Sequence, residues 1–148
     1  MRLVGRIIVI LFALVLASIA AGIAIAFGLL GPAWHGFAGD VGERIVFWGA
    51  AFYGATFTGA IGLLPLAILI AIAEGFKIRS LLSNVLAGAA MLAFGYYTSA
   101  LPSQYEESID RPPPPISRAG EIAVAAGAVF GLTYWLIAGR NAGRWREG

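Results

Sequence analysis

Apolar residues are grouped along this chain into long runs that short polar segments separate. No Asp, Glu, Lys or Arg occurs between Arg6 and Asp40, and Ile7–Leu30 is almost entirely aliphatic. The 24 residues of this run, at about 1.5 Å each, reach about 36 Å and can cross a hydrocarbon layer of about 30 Å with some tilt. The run therefore predicts a first membrane-spanning helix.

Three further runs follow the first. The second, Ile45–Ala73, has 29 uncharged residues and is longer than one straight crossing needs. Pro65 removes a backbone hydrogen bond in this run, so we expect a kink near Gly62–Pro65. We predict an all-α, polytopic membrane protein, a four-transmembrane-helix bundle, with helices at about 7–30, 45–73, 81–101 and 120–139.

Positive charges are distributed unequally between the two predicted sides of the membrane. Seven of the ten Lys and Arg residues fall on one side: Arg2, Arg6, Lys77, Arg79, Arg140, Arg144 and Arg146. The other side carries Arg44, Arg111 and Arg118. By the positive-inside rule, both termini and the turn 74–80 lie in the cytoplasm (N-in/C-in), and loops 31–44 and 102–118 face outward.

The start of the chain also has features of a secretory signal peptide. Met1–Arg6 is basic, Ile7–Ala17 is apolar, and Ser18–Ala20 is an acceptable cleavage signal. The apolar run continues to Leu30 without the polar stretch expected around a processing site, so we expect an uncleaved first helix. Cleavage is the alternative, and it leaves the orientation of the other three helices unchanged.

Composition supports lipid as the solvent of this chain. Hydrophobic residues make up 59% and charged residues 12% of it, against about 45–50% and 25% in soluble domains. The basic residues lie at the ends of apolar runs and form no phosphate-reading patch, so we expect no nucleic-acid partner. The chain has no Cys, which excludes disulfides and thiolate-bound metals.

Small residues recur at four-residue spacing along every predicted helix. The helix-packing candidates are Gly54, Thr58 and Gly62 in the second helix and Ala123, Gly127 and Gly131 in the fourth. Such a face lets two backbones approach closely. It serves either self-association or packing of the four helices against one another, and we favour packing.

The cytoplasmic turn is the most distinctive polar stretch. Its members are Glu74, Lys77, Arg79 and, one turn into the third helix, Asn84. Gly75 can end the second helix, Ser80 can cap the third, and Glu74 can pair with Lys77 or Arg79. We interpret the turn as a topology anchor. A partner-docking site or a polar gate is the alternative.

Other polar residues indicate no catalytic, metal or cofactor site. Glu121 is too close to the outer interface for proton coupling, and His35 is the only histidine, too few for the usual zinc ligands. The basic residues after the fourth helix, Arg140, Arg144 and Arg146, each gain about 1 kcal/mol from anionic headgroups. The bilayer is therefore one expected partner.

The stretch Pro65–Leu82 resembles a pattern in small, uncharacterised alphaproteobacterial four-helix inner-membrane proteins. Glu74, Arg79 and Ser80 carry the resemblance, which covers about an eighth of the chain. The resemblance implies a bacterial inner membrane and brings no activity with it.

We expect a non-enzymatic membrane protein, because the chain shows no nucleophile–base pair, metal ligand set or phosphate loop. Its expected role is that of an interaction or accessory subunit, or of a homo-oligomer. A small oligomeric channel or transporter is the alternative, and it would need a polar path that one protomer lacks.

Overall fold

The computed structural model describes residues 2–31, 38–99 and 116–143. These form α1 (Arg2–Leu30), α2 (Val41–Gly75), α3 (Leu81–Thr98) and α4 (Arg118–Ile137), followed by a short 3₁₀ turn, Gly139–Asn141. Within these three ranges every regular element is helical, which confirms the all-α class.

Capping residues start two of the helices before the predicted apolar runs begin. The Asp40 carboxylate accepts from the Glu43 backbone N at 2.7 Å, and the Ser117 hydroxyl accepts from the Gly120 backbone N at 3.1 Å. Ser80 occupies the corresponding position before α3, but its side chain makes no capping hydrogen bond. Ser80 is therefore the N-cap residue of α3, as expected, but without the side-chain hydrogen bond that Asp40 and Ser117 make.

The second helix is bent. Its two parts, Val41–Ala60 and Pro65–Gly75, differ in direction by 65°. Helices α1, α3 and α4 are each long and apolar enough to cross a membrane, and α2 is a fourth candidate if its two parts form one broken span. The chain is therefore a helical protein with three to four candidate membrane spans.

The helices pack in an order that differs from their order in the chain. Helix α1 packs against both α2 and α4, and α4 packs against α3, whereas α2 and α3 touch much less. Alanines occupy the inward-facing positions in the middle of α1, where Ala13, Ala17 and Ala21 are fully buried. Small side chains let the neighbouring helices approach, and the bundle stays open between α2 and α3.

Large apolar side chains cover the outside of the bundle. Exposed examples on α1 are Ile8 and Phe12, and on α3 Leu86 and Phe94. Soluble monomers rarely expose continuous apolar surface on this scale. Hydrocarbon is the environment in which such a surface carries no hydration cost.

Candidate functional site at the basic end of the bundle

A largely enclosed ion pair joins the beginning of α1 to the end of α2. The Arg6 Nε donates to Glu74 Oε1 at 3.0 Å, and Arg6 Nη2 contacts the same carboxylate oxygen. Arg6 Nη2 also donates to the Ala138 carbonyl at 2.9 Å. The two side chains are only 11% and 12% exposed. Arg6 therefore links α1, α2 and the end of α4 at one place.

The segment after α4 is fastened to the same place. The Gly143 backbone N donates to Glu74 Oε2 at 2.8 Å, and Arg79 Nε donates to the Ala142 carbonyl at 2.8 Å. The Trp135 indole N donates to the Arg79 carbonyl at 2.8 Å. We call Arg6, Glu74 and Arg79, with the chain from 138 to 143, the charge cluster.

Glycine is required at position 143 of the charge cluster. Gly143 has φ +72°, a conformation that L residues with side chains rarely adopt. A Cβ at this position would also lie 2.6 Å from Lys77 Cγ. This contact places Lys77, which itself has φ +53°, beside the C-terminal segment.

In the predicted polar turn, Glu74 pairs with a residue much farther away along the chain than the sequence indicated. Gly75 is the last residue of α2, and Asn84 Nδ2 donates to the Ser80 carbonyl at 2.8 Å. The added partner of Glu74 is Arg6, which lies 68 positions earlier in the chain. In the sequence Arg6 stands out only as a topological charge, because nothing local relates it to Glu74.

The candidate small residues of α4 face α3. A Cβ on Gly127 would overlap the Gly88 carbonyl oxygen, and a Cβ on Gly131 would overlap the Asn84 carbonyl oxygen. Ala123, one turn earlier, is half-buried. The face is therefore occupied inside the protomer at both glycines.

Gly54, one of the candidate small residues of α2, faces α1. A Cβ on Gly54 would lie 3.2 Å from both Gly22 Cα and Ile25 Cβ. Thr58 is fully buried, and its hydroxyl donates to the Gly54 carbonyl at 2.8 Å. Gly62 lies in the part of α2 where the helix bends.

An apolar groove lies between the second part of α2 and α3. It has a cavity volume of about 110 Å³ and is floored by Phe130 and Tyr134 of α4. Its walls are Leu66, Leu69, Ile70, Ile72 and Ala73 of α2, Ile78 of the turn, and Ser83, Asn84, Ala87 and Gly88 of α3, with Gly131 of α4. We call it the α2–α3 groove.

The structure describes only some of the other predicted positions. Glu121 is exposed in the first turn of α4, whereas Arg140 is exposed in the 3₁₀ turn, within the segment 138–143 of the charge cluster. His35, Arg144 and Arg146 fall outside the described residues. Across residues 2–31, 38–99 and 116–143, no group of three His, Asp or Glu side chains is placed to hold a metal ion.

Comparisons with known proteins add no relative. No protein-family model matches the chain, and neither a curated protein nor a solved structure matches it significantly. The class that the structure defines is a helical protein with three to four candidate membrane spans.

Proposed function

We propose that the chain crosses a bacterial inner membrane four times, with both ends in the cytoplasm. The contact between Arg6 and Glu74 supports four crossings. If α2 entered and left the membrane on the same side, these two residues would lie on opposite faces of the bilayer. The cations gathered at this end, Arg6, Lys77 and Arg79, favour the cytoplasmic side.

We further propose that the protein is a non-enzymatic interaction subunit that binds another membrane helix through the first part of α2. The surface concerned, which we call the partner face, consists of Gly49, Phe52, Tyr53, Thr56 and Ala60. Their spacing places them along one side of a helix. Phe52 is 75% and Tyr53 is 66% exposed.

The environment of Tyr53 is the observation that supports this proposal most directly. Its ring stacks on Phe57 of the same helix, and its hydroxyl makes no hydrogen bond among the described contacts. A phenol that faces hydrocarbon without a partner carries a desolvation cost. A Cβ on nearby Gly49 would meet nothing within 4 Å, so no packing inside the protomer requires glycine there. A partner helix that packs closely on Gly49 and hydrogen-bonds the Tyr53 hydroxyl explains both residues.

The threonine hydroxyls of the spans weigh against a channel. Thr56, Thr58 and Thr98 donate to the carbonyls of Phe52, Gly54 and Phe94 in their own helices, and Thr133 does the same to Val129. These hydroxyls satisfy the backbone of their own helix and contribute little to a hydrated path. An interaction subunit needs no such path.

Site-specific cross-linking tests the partner face. Because the chain has no cysteine, Tyr53→Cys introduces a single thiol that can carry a photoreactive maleimide in native membranes. Val15→Cys is the matched control, since Val15 is 59% exposed near the middle of α1. We expect a discrete protein adduct from position 53 and only lipid adducts from position 15.

The mass and composition of the adduct then show which kind of partner binds. An adduct of twice the chain mass indicates a homo-oligomer, and an adduct that contains one other integral membrane protein indicates an accessory subunit. Absence of a protein adduct at position 53, or equal protein adducts at both positions, contradicts the proposed interaction.

A further inference from the structure

We propose that the α2–α3 groove binds one acyl chain of an anionic phospholipid, whose headgroup lies against the turn at Lys77 and Arg79. This inference goes beyond the interaction role and uses a different part of the molecule. The partner face lies on the first part of α2, whereas the groove is lined by the second part.

The walls of the groove select an apolar occupant. Aliphatic side chains of α2, Ala87 and Gly88 of α3 and the Phe130 ring of α4 line the groove. A surface of this kind accepts hydrocarbon more readily than water. The groove is open at its side, where lining residues Leu69 and Ile72 are 36% and 43% exposed. A chain from the surrounding bilayer can therefore enter laterally.

The groove is too small to enclose a helix. A helix with its side chains is about 10–12 Å wide, so it could cover the groove from outside but could not enter a cavity of about 110 Å³. From Leu66 to Ala73 the α2 wall is about 10 Å long at about 1.5 Å per residue. These dimensions fit part of one extended hydrocarbon chain.

Polar groups at the groove favour an amphiphile over a plain hydrocarbon. Tyr134 is 6% exposed and lines the groove, and its hydroxyl makes no hydrogen bond among the described contacts. The Ser83 hydroxyl on the α3 wall likewise makes none in the described part of the chain. Both hydroxyls can donate to the ester oxygens of a glycerolipid.

Charge at the end of the groove favours an anionic headgroup. Ile78 lines the groove and stands between Lys77 and Arg79 in the turn. In the described part of the chain, this end carries the cations Arg6, Lys77, Arg79 and Arg140 beside the Glu74 carboxylate, which leaves it positively charged. Juxtamembrane cations of this kind attract anionic lipids.

Native mass spectrometry of the purified protein in mild detergent tests the inference. The probes are phosphatidylglycerol and phosphatidylcholine with identical acyl chains, added at equal concentration. We expect one phosphatidylglycerol retained per chain, and phosphatidylcholine retained several-fold less. Ala87→Trp, which fills the groove, should reduce retention about tenfold. Leu86→Trp, at an adjacent position that is 58% exposed, should retain lipid as the unmodified chain does.

A second variant keeps the test decisive if Ala87→Trp does not fold. Tyr134→Phe leaves the apolar walls intact and removes only the hydroxyl, and it should lower phosphatidylglycerol retention several-fold. Equal retention of the two lipids by the unmodified chain overturns the inference, because it indicates unselective boundary lipid. Unchanged retention in a folded Ala87→Trp or in Tyr134→Phe overturns it as well.

Discussion

Glycines set the distance between α3 and α4. Gly88 and Gly127 face each other so closely that a Cβ on either would overlap the carbonyl oxygen of the other. Backbone atoms cannot move aside as a flexible side chain can. The close approach of these two helices therefore requires glycine, whose side chain is a single hydrogen atom, at both positions.

Gly127→Ala should destabilise the protein by about 1–3 kcal/mol, because the added methyl group forces α4 away from α3. Thermal unfolding in mild detergent measures the change, and Gly127→Leu should unfold at a still lower temperature. Gly5→Ala is the control, since a Cβ at Gly5 meets nothing within 4 Å. Equal unfolding temperatures for the Gly5 and Gly127 variants would show that the helices are not in close contact.

The Arg6–Glu74 pair permits a second prediction at the residue scale. Arg6→Ala removes one cation from the Glu74 carboxylate and one donor from the Ala138 carbonyl. Breaking a buried ion pair from one side costs about 3–5 kcal/mol. We expect the free energy of unfolding to fall by about 2–4 kcal/mol, the lower range allowing for a pair that is not fully enclosed.

A double-mutant cycle with Glu74→Gln separates pairing from general damage. Arg6→Ala and Glu74→Gln together should cost less than the sum of the two single changes, since the double variant removes both charges of the pair. Strict additivity of the two free-energy changes would mean that the ion pair contributes nothing. The effect should also persist at high salt, because solvent ions screen a buried pair poorly.

At the scale of elements, hydropathy locates the helices but not their ends. The uncharged run begins at Ile45, yet α2 begins four residues earlier, at Val41. The reason is that the Asp40 carboxylate caps the helix there. Helix α4 likewise begins earlier than predicted, at Arg118, because the Ser117 hydroxyl caps it there. A capping hydrogen bond is a local interaction with a sequence signature, so these two starts could have been read from the sequence.

The bend of α2 permits a prediction about shape. The second part, Pro65–Gly75, is about 16 Å long at about 1.5 Å per residue. Pro65→Ala restores a backbone donor and removes the clash of the ring with the preceding turn. We expect the 65° bend to narrow, and a decrease of about 20° would move the end of α2 by about 5 Å.

Spin labels measure this displacement. A label pair at Ile72 and Leu82, both exposed, reports the distance between the end of α2 and the start of α3. A second pair at Val15 and Leu132 on α1 and α4 should not respond. An unchanged distance in the first pair would mean that tertiary contacts, such as the Arg6–Glu74 pair, hold the bend without the proline.

At the scale of the whole molecule, the sequence could not reveal which helices pair. Inward and lipid-facing surfaces of membrane helices are nearly equally apolar, so hydropathy does not distinguish them. The structure places α1 between α2 and α4, and this placement brings Arg6 to Glu74 and leaves the α2–α3 groove open. Both features arise from residues that are far apart in the chain, and no local pattern encodes them.

The contact between Arg6 and Glu74 also supports the four crossings that we propose. Reporter fusions should show the cytoplasmic side after Gly75, the outer side after Glu107 and the cytoplasmic side again after Gly148. The fusion after Gly75 is the decisive one, because a re-entrant α2 would place it outside and would separate Glu74 from Arg6 by the full bilayer. An alkaline phosphatase that is active when joined after Gly75 would therefore contradict both the four-span topology and the ion pair. Activity after Glu107 alone is the expected pattern, since positive charges at 77 and 79 oppose export of the turn.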